Sequence, residues 1–343
     1  MATLRAMAGR RALRASGMLL GAAVSILFTY LAVRGIDVHA FWHALRGSDY
    51  GWLIPALAVL AISIFLRIAR WRVLFPASSR PSLRDASAAS LLGYFFNNIL
   101  PARGGEAVRV LALHDRAGTS RALGLATAVS ERVYDILGLL VVLFASIPFL
   151  PHISWVVRAG VIAVALAIAI AAAVVTLEVY GARPVIWALR PLARFRRVST
   201  ERIEHAAHNV VEGLIGFRRV SVAVPAFLLT VGSWLVMAAS FWLVSLGFHL
   251  GVGYGAAVLV VVTANFGAVL PASPGGIGVF EAAVVLALTS FHVPKSEALS
   301  YAVVVHALNF FPFLLVGYPL LHTSVVRRRR VRASFAQRAA EQS

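Results

Sequence analysis

Asn97-Asn98-Ile99-Leu100-Pro101-Ala102-Arg103-Gly104-Gly105-Glu106 is the stretch around which the chain is organised. It is echoed by Asn265-Phe266-Gly267-Ala268-Val269-Leu270-Pro271-Ala272-Ser273-Pro274-Gly275-Gly276. Each carries Leu-Pro-Ala followed by paired glycines, and each lies between apolar runs shorter than the ~20 residues a helix needs to cross a bilayer. Proline and paired glycine interrupt a helix. Lipid cannot satisfy the freed backbone groups, so such a break is tolerated at membrane depth only inside protein or beside a water-filled cavity. Two breaks in corresponding positions are the sequence mark of a transporter-like binding site.

The composition sets the solvent. Of 343 residues 60% are hydrophobic and 13% charged, with a mean hydropathy of +0.82. A soluble domain carries nearly twice that share of charge. The apolar runs are continuous rather than alternating, which excludes a β-barrel and predicts an all-α, polytopic membrane protein. The net charge of +18 lies in loops and tails. It is read as topogenic charge and affinity for anionic headgroups, not as a nucleic-acid surface. There are no cysteines, so disulfides, thiolate metal sites and cysteine nucleophiles are excluded.

The order along the chain follows from charge and length. Residues 1–16 are a basic cytoplasmic N-terminus, and Gly17–Val33 is an uncleaved first span. Arg34–Asp49 is a mixed outer loop, on which His39 and His43 are too few for a metal site. Gly51–Leu66 is the second span, closed by Arg67, Arg70, Arg72, Arg80 and Arg84 as a cytoplasmic flank. Residues 86–114 are a re-entrant hairpin broken at Pro101–Gly105. Ala122–Phe149 and Trp155–Val179 are the third and fourth spans. Residues 183–219 contain an amphipathic helix on the inner surface. Val222–Leu246 is the fifth span, residues 256–291 a second hairpin entering from outside, and Ser300–Thr323 the sixth span. Arg327–Arg330 and Arg332 hold the tail, 325–343, in the cytoplasm. Each half, 17–149 and 155–324, then has three spans with a hairpin before the third, in opposite orientations. This is an inverted-topology repeat, which typically places substrate near the midplane. Ala122-Leu123 followed by Leu139-Leu140 weakly matches Ala298-Leu299 followed by Leu315-Val316.

The candidate site residues are polar groups at the breaks and in the spans. Glu131 lies roughly 14 Å into its helix at ~1.5 Å per residue, where a charge is costly and usually paired or functional. Asp135 shares its face, and Arg132 and Asp135 are spaced to pair on one helix. At the first break stand Asn98, Arg103, Gly104, Gly105, Glu106 and Arg109. A helix start there would offer backbone N–H groups to an anion, and guanidinium groups hold phosphate by paired hydrogen bonds. At the second stand Asn265, Ser273, Gly275, Gly276 and Glu281, the last also placed to cap its helix. His306 and Asn309 share a face of the last span. No Walker loop, zincin motif or Gly-x-Ser-x-Gly elbow occurs. No catalytic residue, cofactor or metal is therefore expected.

These motifs, Asn98-Ile99-Leu100-Pro101-Ala102-Arg103-Gly104-Gly105-Glu106 with Arg109, Glu131-Arg132 with Asp135, and Pro271-x-Ser273-Pro274-Gly275-Gly276-x-Gly278 with Glu281, resemble the flippase-like membrane family also called the lysylphosphatidylglycerol synthase transmembrane region. The likeness covers most of the chain. It implies a stand-alone, multi-pass protein of the bacterial inner membrane, linked to moving polar lipids between leaflets, without the soluble aminoacyl-transferase domain of the full synthases. The expectation is a lipid flippase, not an enzyme, with Arg103, Arg109 and Arg132 holding an anionic headgroup. The alternative is a non-catalytic scaffold or a subunit of a lipid-modifying transferase complex. The expected partners are membrane lipids and, in the alternative, lipid-biosynthesis enzymes.

Overall fold

A computed structural model of the chain describes residues 19–100, 104–149, 219–268, 270 and 273–341, with single positions and short pieces between 158 and 188 and Glu204. Among the described residues the regular structure is helical. In chain order the helices are α1 (Leu19–Val33), α2 (Val38–Arg46), α3 (Leu53–Val73), α4 (Leu83–Ile99), α5 (Gly105–Ala117), α6 (Arg121–Ser146), α7 (Val220–Gly247), α8 (Tyr254–Gly267), α9 (Val279–Thr289) and α10 (Lys295–Glu341). Residues 1–18, most of the expected fourth span, most of the expected surface helix at 183–219, and the tips Pro101–Arg103 and Pro271–Ala272 lie outside the described residues. So do the side chains beyond Thr323.

Three described helices are long and apolar enough to cross a membrane: Tyr50–Val73, Val220–Gly247 and Lys295–Thr323. They correspond to the expected second, fifth and sixth spans. α1 and α2 form a further candidate, bent by 86° at the 34–37 break. The stretch expected as an outer loop therefore contains a helix. Asp37 caps it by accepting from His39 N–H at 2.8 Å and Ala40 N–H at 3.1 Å. α6 has 26 residues and would reach roughly 39 Å at ~1.5 Å per residue, but it carries Glu131, Arg132 and Asp135.

The inside of the molecule holds the short helices. In α8, Ala256–Val262 are buried without interruption. A helix that is apolar all round and only 14 residues long is a core helix, not a lipid-facing span. α4 likewise buries Ala86, Ala88, Ala89, Leu92 and Phe95. The long helices instead expose apolar residues, such as Ile54 at 77% and Leu315 at 74%, as a lipid-facing surface requires.

Both broken stretches are antiparallel helical hairpins. In the first, Arg116 near the end of α5 bonds Asp85 near the start of α4 at 3.2 Å, and Gly105 backs onto Gly93 and Asn97. In the second, the Thr263 hydroxyl on α8 donates to the Ala283 carbonyl on α9 at 3.2 Å. α3 and α7 are joined along their length, with Ser63 donating to the Ser233 carbonyl at 2.8 Å and Ser240 to the Ala56 carbonyl at 2.7 Å. Small hydroxyl residues let apolar helices approach and bond across a membrane interface.

The residues flanking the two breaks meet on α10. Asn98 at the end of α4 donates to the Phe310 carbonyl at 3.1 Å. His306, one turn earlier on α10, bonds the Gly275 carbonyl at 3.0 Å. Gly275 has φ +73°, and a Cβ there would stand 2.9 Å from the Phe310 ring. Only glycine takes that backbone at little cost while leaving the aromatic its place. The sequence placed the breaks in two separate halves. Packing on one helix brings their flanks, Asn98 and Gly275, side by side.

Candidate functional site

The first constellation is assembled by four helices. α3 supplies Arg67 and Arg70, α5 supplies Glu106 and Arg109, α6 supplies Glu131, Arg132 and Asp135, and α7 supplies Thr230 and Trp234. Arg67 and Arg70, Glu106 and Arg109, and Glu131 and Asp135 are each spaced three or four apart, so each of these helices turns a charged face to the same place, with Arg132 beside Glu131 on α6.

Arg70 is the centre of this group and is 1% exposed. Its Nη2 bonds Glu131 Oε1 at 2.6 Å, and its Nη1 bonds Asp135 Oδ1 at 2.5 Å. Nη1 also donates to the Thr230 hydroxyl at 3.2 Å. Arg109 Nη2 takes the second oxygen of Glu131, and its guanidinium lies 4.1 Å from the centre of the Trp71 ring. Glu131, 3% exposed, is thus clamped between arginines from two other helices. Arg132 pairs with Glu106 on α5 and stands 3.7 Å from Asp135. Its side chain is 42% exposed, so it is the accessible cation of the group.

This revises two expectations. Arg67, Arg70 and Arg72 were read as a cytoplasmic flank beyond a span ending at Leu66, but helix α3 runs on to Val73. Arg70 turns into the protein because the carboxylates of Glu131 and Asp135 lie within reach and satisfy its charge. Arg109 was expected to hold a headgroup, yet it is buried against Glu131 and Trp71. A signal for Arg70 was present in the sequence. Three carboxylates in apolar segments require cations, and no Gly or Pro intervenes between Leu66 and Pro76 to end the helix.

Arg67 completes the set. Its guanidinium lies 3.8 Å from the Trp234 ring centre, and its Nη2 contacts the Met237 sulfur at 3.2 Å. Within the group, Arg67, Arg70, Arg109 and Arg132 face Glu106, Glu131 and Asp135, so one positive charge is left over among the described residues. Arg103 lies in the tip and outside the described residues. Gly104 and Gly105 start α5 as expected, with Glu106 in its first turn.

The second constellation sits at the other tip. Glu281 Oε2 accepts from the Gly278 N–H at 2.6 Å and so caps α9. Its Oε1 lies 2.5 Å from His306 Nδ1. The Ser273 N–H donates to Ser25 of α1 at 2.8 Å. Gly276 lies in the same turn with φ +73°. Asn265 and Asn309 bond carbonyls of their own helices, Val261 at 2.8 Å and Val305 at 2.9 Å. The structure therefore brings Asn98, Ser273, Gly275, Glu281 and His306 together around α10. It brings Glu106, Arg109, Glu131, Arg132 and Asp135 together around α6. Asn265 and Asn309 join neither network. Among the described residues no group of three or more His, Asp or Glu gathers at metal-binding distance.

Beside the second hairpin is a cavity of about 670 Å³, lined by Phe28, Leu31, Leu259, Phe266, Val279 and Leu286 among others, with Lys295 at its edge. The Lys295 ammonium donates to the carbonyls of Leu31 at 3.0 Å and Arg34 at 2.5 Å at the end of α1.

A profile for the lysylphosphatidylglycerol synthase TM region matches residues 18–317. The chain belongs to that family. It is therefore a multi-pass membrane protein of the family, and the matched residues include both hairpins and all the charged residues above. It is 26% identical over 305 residues to a UPF0104 membrane protein of Methanothermobacter thermautotrophicus, covering 86% of this chain and 90% of that protein. It is 24% identical over 297 residues to the UPF0104 membrane protein PH1989 of Pyrococcus horikoshii, covering 80% and 88%. It is also 26% identical over 338 residues to the glycosyltransferase AglD of Haloferax volcanii, covering 90% of this chain and 54% of that protein. The stretch aligned with this chain thus makes up most of the first two proteins and about half of the third.

Proposed function

We propose that the protein moves a polar, anionic or lipid-linked membrane lipid between leaflets. One observation carries this reading: a charged group inside a membrane protein, one positive charge in excess, with Arg132 accessible beside a helix break. Keeping charge in an apolar setting costs several kcal/mol unless it is used or paired, and an accessible guanidinium matches the phosphate of a headgroup. The apolar cavity beside the second hairpin has the lining for a hydrocarbon chain. In this reading the termini are cytoplasmic, by the distribution of arginine. The two halves form an inverted repeat around the shared α10 contact, and Arg132 replaces Arg109 as the headgroup ligand.

The test is translocation in proteoliposomes loaded with tagged phospholipids and with native lipid extract. Wild-type protein is expected to move lipid. Arg132→Gln is expected to slow it by about tenfold or more, the loss of one charge-assisted hydrogen bond at ~1.4 kcal/mol per tenfold, with little change in thermal stability. Movement of no lipid by folded wild-type protein would sink the reading.

The second reading, a subunit of a lipid-modifying transferase complex, is favoured by one observation. The match to AglD takes in about half of a protein named as a glycosyltransferase. It expects co-purification with a transferase, and product formation that survives Arg132→Gln.

A further inference from the structure

His306 is bound on both sides, and the chemistry of its partners determines where its protons are. A backbone carbonyl only accepts. The Nε2 that lies 3.0 Å from the Gly275 carbonyl therefore carries a hydrogen. The Nδ1 lies 2.5 Å from Glu281 Oε1, and two lone pairs do not sit at that distance. One proton must lie between them, as imidazolium with carboxylate or as neutral imidazole with carboxylic acid. In both forms the pair holds a single extra proton and is neutral overall. Removing it leaves a net negative charge and a bare Nδ1 facing a carboxylate.

We propose that the Glu281–His306 pair is a proton-binding site that couples lipid movement to the proton gradient, an inference that rests on the transport reading above. The geometry supplies the coupling. With its proton, the pair ties Glu281 of α9 to α10, and His306 Nε2–H ties the 274–276 turn to the same helix. One turn further on, the Phe310 carbonyl receives Asn98 from the first hairpin. Proton loss breaks the N–H bond at Nδ1 or the O–H bond at Oε1, and the proton passes to water. Repulsion then parts Glu281 from His306 and loosens the second tip beside the first. Rebinding a proton closes it. One proton is exchanged per opening.

Glu131, the other buried acid of the site, is unsuited to this role. Both of its oxygens are taken by guanidinium groups, which cannot accept a proton. The His306 ring, by contrast, has a nitrogen facing a carboxylate oxygen and can take or give the proton between them.

The surroundings bring few other titrating groups. α9 brings Glu281 itself. α10 carries Lys295 and Glu297 at its far N-terminal end, and beside His306 it presents the Phe310 ring. α4 brings Asn98 and Tyr94, whose ring lies 5.0 Å from Phe313. α1 brings Ser25 and Thr29, with Tyr30 exposed. α8 brings Thr263 and Asn265, both bonded to carbonyls. Among the described residues no other carboxylate, lysine or arginine forms an ion pair with either partner.

Two measurements on the full-length protein test this. The first is nitrogen NMR of ¹⁵N-histidine-labelled protein in lipid nanodiscs, with the His306 signal assigned by its loss in His306→Gln. The expected spectrum has a protonated Nε2 and a strongly hydrogen-bonded Nδ1. Glu281→Gln keeps the acceptor for Gly278 N–H and is expected to shift Nδ1 to an ordinary neutral acceptor. A His306 signal unaffected by Glu281→Gln would overturn the proposal.

The second is lipid translocation in proteoliposomes with and without an imposed pH gradient. The gradient is expected to change the wild-type rate about tenfold. Glu281→Gln and His306→Gln are expected to abolish that response, giving the same rate with and without the gradient. A wild-type rate indifferent to the gradient would overturn the coupling. Absence of any movement would fail the transport reading instead, and the NMR result would still decide whether the proton is there.

Discussion

Glu131→Gln is expected to cost about 3–5 kcal/mol of stability, the range for breaking a buried pair by removing one partner. The amide keeps the size of the side chain and one acceptor but removes the charge that Arg70 and Arg109 share. Arg70 retains Asp135 at 2.5 Å. Arg109 has no second carboxylate within ion-pair distance among the described residues, so its guanidinium is left buried over Trp71 without a counter-charge. Thermal unfolding in detergent should show a large drop in midpoint and lower yield of monodisperse protein. Adding Arg109→Met should recover part of the loss, because burying an apolar chain costs less than burying an unpaired cation. If Glu131→Gln unfolds as the wild type does, the clamp is not what holds α3, α5 and α6 together.

The second large effect is steric. A Cβ built on Gly105 would lie 2.0 Å from the Gly93 carbonyl oxygen, 2.6 Å from the Asn97 nitrogen and 2.7 Å from the Asn97 side-chain oxygen. Two of these are backbone atoms, which cannot rotate away. Gly105→Ala must therefore push α5 off α4, moving Arg109 from Glu131 and Glu106 from Arg132. Overpacking of a tight interior costs about 1–3 kcal/mol or more, and here the loss of the buried Arg109–Glu131 pair is added. Gly253→Ala is the control. Gly253 has open space around its Cβ position and extended backbone with φ −78°, so it should behave as wild type. Equal thermal stability of the two variants would mean that the hairpin legs do not pack as described.

The membrane class, the helical content and the two broken stretches were legible from residues alone. The reason is that lipid is an unforgiving solvent: continuous apolar runs must be helices, and Leu-Pro-Ala with paired glycines cannot continue one. The residues of the charged face on α6 were legible too, since Glu131, Arg132 and Asp135 stand out against an apolar background. The partner that matters most to them was not. Arg70 looks like any arginine after a span, because topogenic arginines and paired arginines have the same local signature. The sequence reads distance along one helix, whereas Arg70 meets Glu131 and Asp135 across three-dimensional space, 61 and 65 positions away.

The same limit explains the second site. Glu281 was visible as a helix cap and His306 as a polar residue in a span, but nothing local says that they share a proton. Their meeting depends on how α9 packs on α10, and on a turn at Gly275 that delivers its carbonyl to the other ring nitrogen. Asn265 and Asn309 show the converse: polar residues in promising positions that bond the carbonyl one turn back. By itself, then, the sequence determined the solvent of each segment, the places where helices stop and the inventory of charge. Tertiary structure alone decided which charges neutralise one another and which cation stays accessible. It also decided that the residues flanking the two helix breaks meet on one helix, because pairing is set by the packing of apolar faces, which carry little identity of their own.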